Sequence, residues 1–135
     1  KQDSRWINRP KHQWTRINKE LSKKDGLVSG IFNQLKELIA LRKEFPSLAD
    51  LNNLDLLELG NPHIFAFERR GKDSSGIVVL ANFHQTAQVV DSAFLKNLGY
   101  CKKGLLQELT RGKKIKLKSG LLEVGPYELL WLKQF

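Results

Sequence analysis

Two arginines and a tryptophan crowd into DSRWINRP, Asp3 to Pro10. Arg5 is the residue there best suited to chemistry. Its guanidinium stays charged at any working pH, and its planar fork can hold a carboxylate through two hydrogen bonds. On its own, an arginine in such a place reads as a surface charge. Arg9 suits bracing of the segment. Trp6 and Trp14 suit anchoring by packing, although an aromatic face can also stack on a sugar ring. His12, His63 and His84 are scattered, without metal-ligand spacing and without a carboxylate cluster beside them in sequence, so no metal is expected. Cys101 has Lys102 and Lys103 as neighbours, which favour a thiolate, but no histidine nearby in sequence to activate it; it reads as an ordinary thiol. Glycine-rich phosphate loops and serine-nucleophile elbows are absent, and no cofactor is expected.

The elements that would position these residues follow from composition and periodicity. A chain of 135 residues with 27% charged and 41% hydrophobic residues is that of an ordinary globular domain, long enough for a core without staples. One cysteine allows no internal disulfide, which points to a reducing, cytoplasmic setting. No apolar run approaches the length of a membrane span, and no signal peptide opens the chain. The sequence contains no methionine, so the expectation is a processed chain or a piece of a longer one.

The net charge of +9 raises nucleic acid as a partner. Its densest stretch is KKIKLK, Lys113 to Lys118, where Lys114, Lys116 and Lys118 fall on one face of a strand and Ile115 and Leu117 on the other. Lysines on an edge strand also block strand-on-strand aggregation, and no aromatic platform is interleaved with these. Nucleic acid is therefore not the expected partner.

Pro10 to Leu21 reads as a short helix with Trp14, Ile17 and Leu21 on one face and proline in the first turn. The strongest helical pattern is LVSGIFNQLKELIALRKEF. Leu27, Ile31, Leu35, Leu38 and Arg42 form one stripe, which Val28, Phe32 and Ile39 widen. Asp25 before it and Arg42 and Lys43 at its end complement the helix dipole, and Pro46 stops it. So broad a stripe implies a substantial packing partner. Beyond Pro46 the period changes to two: LDLLEL, HIFAFER, GIVVLANF, AQVV, LLQEL, KIKLK, LLEV and YELLWL read as strands between glycine-rich turns. Short strands with no helices between them give a mainly β class, an antiparallel β-sandwich of about eight strands preceded by one or two α-helices. IVVLANF, apolar at nearly every position, should be a central strand buried on both faces.

A long helix with a wide apolar stripe is an odd preface to a sandwich. DSRWINRP, GIFNQLKELIALRKEFPSL, HIFAFER, VVLANF and LEVGPYELLWL, in this order, resemble the C-terminal part of the α-amylase clan, glycoside hydrolase family thirteen, and most closely the amylosucrases. The resemblance runs over essentially the whole chain. It implies residues 1–47 as the last active-site loop and the terminal helix of a (β/α)₈ barrel, and residues 48–135 as the β-sandwich domain that follows. It implies that Arg5 ion-pairs with an aspartate from an earlier loop at the bottom of a glucose pocket. The implied parent transfers glucose from sucrose to an α-glucan by a retaining double displacement. Its two catalytic carboxylates sit on earlier barrel strands, so the implied partners are a catalytic barrel outside this chain, sucrose and α-glucan, and the chain alone should be inert. Asn8 stands where amylosucrases commonly have histidine, which leaves a sucrose hydrolase open as the parent.

Other classes remain. A carbohydrate-binding module would need a surface aromatic pair on the sandwich. Tyr100, Tyr127, Trp131 and several phenylalanines are available in the strands, and most sit at positions read as core-facing. A basic nucleic-acid binder and a purely structural role, in which the sandwich shields the barrel's last helix, complete the set.

Overall fold

In this computed structural model the described residues are 11–50, 52–71 and 76–135. They form two compact units, one ending at Ile39 and the other running from Ala40 to Phe135. The first unit contains α1, Trp14–Leu21, and most of α2, Leu27–Glu44. Pro10 lies outside the described residues, and α1 starts only at Trp14. Between the helices, the Ser29 hydroxyl donates to the carbonyls of Lys23 and Gly26, at 2.5 and 2.8 Å, and so ties the start of α2 to the preceding turn. Along α2 the expected stripe forms but stays in water: Leu27, Val28, Ile31, Phe32, Leu35 and Ile39 are exposed, and Ser29 is the buried residue of the helix. Six large apolar side chains on one helix in solvent is more than scattered surface hydrophobicity explains.

The second unit continues through the end of α2 into a 3₁₀ turn, Pro46–Leu48. Strands β1 (Leu54–Leu56), β2 (Ile64–Arg70), β3 (Gly76–Asn82), β4 (Gln88–Asp91), β5 (Cys101–Lys102), β6 (Leu105–Glu108), β7 (Lys113–Lys116), β8 (Leu121–Val124) and β9 (Leu129–Lys133) follow. All pair antiparallel. Seven of them make one sheet in the order β1-β2-β3-β9-β6-β5, with β7 added at the edge against β6; β4 and β8 make a second, two-stranded sheet. The mainly β, antiparallel two-layer class read from the sequence is the one observed. One expectation is corrected: a helix does interrupt the strands, α3 at Ala93–Asn97. Asp91 Oδ1 accepts the Ala93 N–H at 2.8 Å, Ser92 donates its hydroxyl to the Gly120 carbonyl at 2.6 Å, and Leu95 is fully buried.

The main core lies between the two sheets. Ile64, Ala66, Val78, Leu80, Leu106, Leu130 and Leu132 from the large sheet meet Val90, Leu122 and Val124 from the small one, with Leu95 and Tyr100 closing the side. Burial of each such aliphatic side chain is worth about 1.5–3 kcal/mol. A second cluster covers the other face of the large sheet, where Leu48 packs with Ile77 and Val79 and is ringed by Phe45, Phe67, Leu109, Leu129 and Trp131. Strand β3 supplies both clusters by alternation, so it is buried on its two faces, as its unbroken apolar sequence required. Strand β7 is an edge strand with Ile115 turned to the core and exposed lysines.

Candidate functional site

Arg5, the residue the sequence singles out for a sugar pocket, lies with Trp6, Asn8 and Arg9 outside the described residues. Trp14 is exposed on α1 and has the His12 ring 5.8 Å away. Cys101 is half-buried and packs against the main core. Among the described residues there is no group of three or more His, Cys, Asp or Glu arranged to hold a metal ion.

A polar cluster surrounds the buried carboxylate of Glu68. The Tyr100 hydroxyl donates to Glu68 Oε1 at 2.8 Å, and Arg70 Nε lies 2.9 Å from Glu68 Oε2. Tyr100 is completely buried and Glu68 is 3% exposed. Burial, and then the hydrogen bond to Glu68, push the Tyr100 phenol well above its ordinary value. The same carboxylate, through its hydrogen bond and charge, raises the Arg70 guanidinium. No substrate reaches a phenol with no exposed surface, so this cluster fixes β2 to the segment before β5. Gly76 permits the approach, since a Cβ there would fall well inside contact distance of Tyr100 Oη.

A second cluster lies at the surface, at one end of the large sheet. Asn82 closes β3 and is buried. Its Nδ2 donates to the carbonyls of Thr86, Val124 and Gly125 at 2.8–3.1 Å, and its Oδ1 accepts the His84 N–H at 2.8 Å. One amide side chain thereby joins the turn after β3 to the turn after β8. Beyond the paired residues of β2 and β3, Phe83 N donates to the His63 carbonyl at 3.0 Å, and Tyr127 N donates to the His84 carbonyl at 3.2 Å. The chain therefore brings residues 61–63, 83–88 and 125–127 together.

Within that cluster the His63 and His84 rings stack with centroids 4.3 Å apart, tilted by 40°. A directional chain of hydrogen bonds fixes the second ring. Asn61 Nδ2 donates to Gln88 Oε1 at 3.2 Å, Gln88 Nε2 donates to Thr86 Oγ1 at 3.2 Å, and Thr86 Oγ1 lies 2.8 Å from His84 Nδ1. The Thr86 N–H also points at Nδ1, at 3.2 Å. Nδ1 is thus the acceptor, and the neutral ring carries its proton on Nε2. Beside this network Phe83 is 72% exposed and Tyr127 71% exposed. Tyr127 holds a left-handed φ of 52°, uncommon for a bulky side chain.

Sequence reasoning treated the histidines as scattered and most strand aromatics as core-facing. The structure brings two of the three histidines together. It buries Tyr100 and half-buries Trp131 but leaves Phe83 and Tyr127 in water. The missed signal is the β2–β3 hairpin register: with Ile64 opposite Asn82, the next step sets His63 beside Phe83.

No protein-family model matches the chain, and no curated protein matches it. Solved structures do match. AmyP, as its E221Q variant in complex with maltotriose, aligns over 72% of this chain at 17% identity and a TM-score of 0.55. The trehalulose synthase MutB from Pseudomonas mesoacidophila MX-45 aligns over 86% at 17% identity and a TM-score of 0.54, as does its E254Q variant in complex with the substrate sucrose. The chain spans 19% of the length of each. The likeness is one of fold, shared with about one fifth of AmyP and of MutB.

Proposed function

We propose that this chain is the C-terminal part of a sucrose-acting α-glucosyl transferase of the α-amylase clan. The observation that carries the reading is the fold it shares with about one fifth of AmyP and of MutB, proteins seen with maltotriose and with sucrose. The exposed apolar stripe of α2 supports it, because a barrel wall is a surface such a stripe would cover. On this reading residues 1–47 complete the barrel and residues 48–135 are a stabilising domain. Arg5 holds an aspartate at the floor of the glucose pocket.

The chemistry lies in the barrel. A carboxylate attacks the anomeric carbon of sucrose and forms a glucosyl-enzyme. A carboxylic acid protonates the departing fructose oxygen, and the same group then acts as base for the acceptor. An α-glucan acceptor makes the parent a transferase, and water makes it a hydrolase. Asn8 keeps the hydrolase as the second reading. Neither carboxylate belongs to this chain, so the chain alone is inert in a reducing, cytoplasmic setting. The test is sucrose turnover. A longer product of the same gene should release fructose from sucrose, and the 135-residue chain should not. Turnover by the short chain, or none by the long one, contradicts the proposal.

A further inference from the structure

Charged residues make up 27% of the chain, yet residues 59–67, 76–90 and 124–127 contain no Asp, Glu, Lys or Arg. Those three stretches supply the end of the large sheet where Phe83 and Tyr127 stand in water. Of the charges that flank them, Glu128 accepts the Gly125 N–H at 2.6 Å and pairs with Arg111, while Glu123, opposite Val89, is exposed. An end built from stretches without Lys or Arg, in a chain of net charge +9, does not suit a phosphate backbone or an anionic lipid surface.

Nor is it merely apolar. The chain from Asn61 through Gln88 and Thr86 to His84 sets fixed hydrogen-bonding groups in the turn that follows Phe83 and whose His84 carbonyl accepts the Tyr127 N–H. Pyranose rings need both features. Their axial C–H faces lie flat on aromatic faces, and their equatorial hydroxyls seek neutral donors and acceptors in the same plane. Tyr127 adds a second sign. Glycine would suit its left-handed backbone better, yet the position carries an aromatic ring that the fold does not bury.

We infer that this end of the sandwich is a saccharide-binding platform, with Phe83 and Tyr127 as stacking rings and His84 Nε2 as a hydrogen-bond donor, and that its ligand is a neutral α-linked glucan. The platform stands on its own geometry; the choice of an α-glucan rests on the reading proposed above.

The 135-residue chain is titrated by calorimetry with maltoheptaose and, separately, with cellopentaose. Saturable heat with maltoheptaose is expected, weakened about tenfold in Phe83→Ala and in Tyr127→Ala and retained in Phe83→Tyr. Tyr127→Gly is the decisive variant, because it removes the ring and relieves the backbone. Binding should fall as far as in Tyr127→Ala while the unfolding temperature is not lowered. No heat with either sugar, or undiminished binding in all three ring-removal variants, overturns the platform. Equal binding of cellopentaose overturns the α-glucan assignment alone. Sucrose turnover by a longer gene product is read in a separate assay, so failure of the parent's reading is not confused with failure of the platform.

Discussion

Gly76 makes the sharpest mechanical test of the fold. It opens β3, opposite Arg70, and a Cβ built on it would clash with Tyr100 Oη and lie 3.0 Å from Cζ. Tyr100 cannot retreat into solvent, because it is wholly buried. In Gly76→Ala the phenol must therefore shift and loosen its hydrogen bond to Glu68, a buried carboxylate that also pairs with Arg70. Overpacking costs about 1–3 kcal/mol. Weakening a hydrogen bond to a charged group adds about 1.5–3 kcal/mol. Together these give about 2.5–6 kcal/mol, or about 8–24 °C in Tm at about 3–4 °C per kcal/mol for a chain of this length. Tyr100→Phe removes the clashing oxygen, so the double variant should be less destabilised than the sum of the two single ones, by at least about 1 kcal/mol. Urea unfolding followed by circular dichroism measures all four corners of the cycle. A Gly76→Ala cost below about 0.5 kcal/mol, or strict additivity, would refute the reasoning.

Three further outcomes are expected. The raised Tyr100 phenol contributes stability that is fully present below the unfolded value of about 10 and is lost as pH rises from there toward the folded value, at up to about 1.4 kcal/mol per pH unit. Urea unfolding at about pH 9 and about pH 11 should show this fall, and Tyr100→Phe should show less of it; equal slopes would remove the claim. Asn82→Ala deletes the amide that joins two turns and should cost about 2–4 kcal/mol in the same unfolding assay, whereas a loss under about 1 kcal/mol would mean the turns hold without it. Ile31→Lys with Leu35→Lys replaces exposed apolar side chains of α2 by charges, so it should leave Tm nearly unchanged while reducing self-association in sedimentation velocity. A large drop in Tm would show that the stripe is packed in the isolated chain.

Periodicity made α2 and most strands legible before any coordinates. The apolar residues of α2 recur at helical spacing over many turns, and β3 is apolar at consecutive positions because it feeds two clusters. What stayed hidden was short or non-local. Helix α3 spans five residues, too few to display a period, and depends on contacts with Gly120 across the fold. The division into a seven-stranded and a two-stranded sheet depends on β4 meeting β8, a pairing set by closure of the core rather than by any neighbouring turn. The histidine pair was hidden for the same reason: its members come from the turn before β2 and the turn after β3, the two ends of one hairpin. Tyr127 misled because it lies two residues before β9 and reads as that strand's first residue. Its left-handed φ instead places it in the turn, outside the sheet's alternation.

The parent enzyme is tested most directly by sequencing the source DNA upstream of the codon for Lys1. The account expects an open frame that continues through barrel strands carrying two carboxylates, over about 250 residues or more. A start codon immediately before Lys1 would contradict it and leave the sandwich as a stand-alone binding or structural domain.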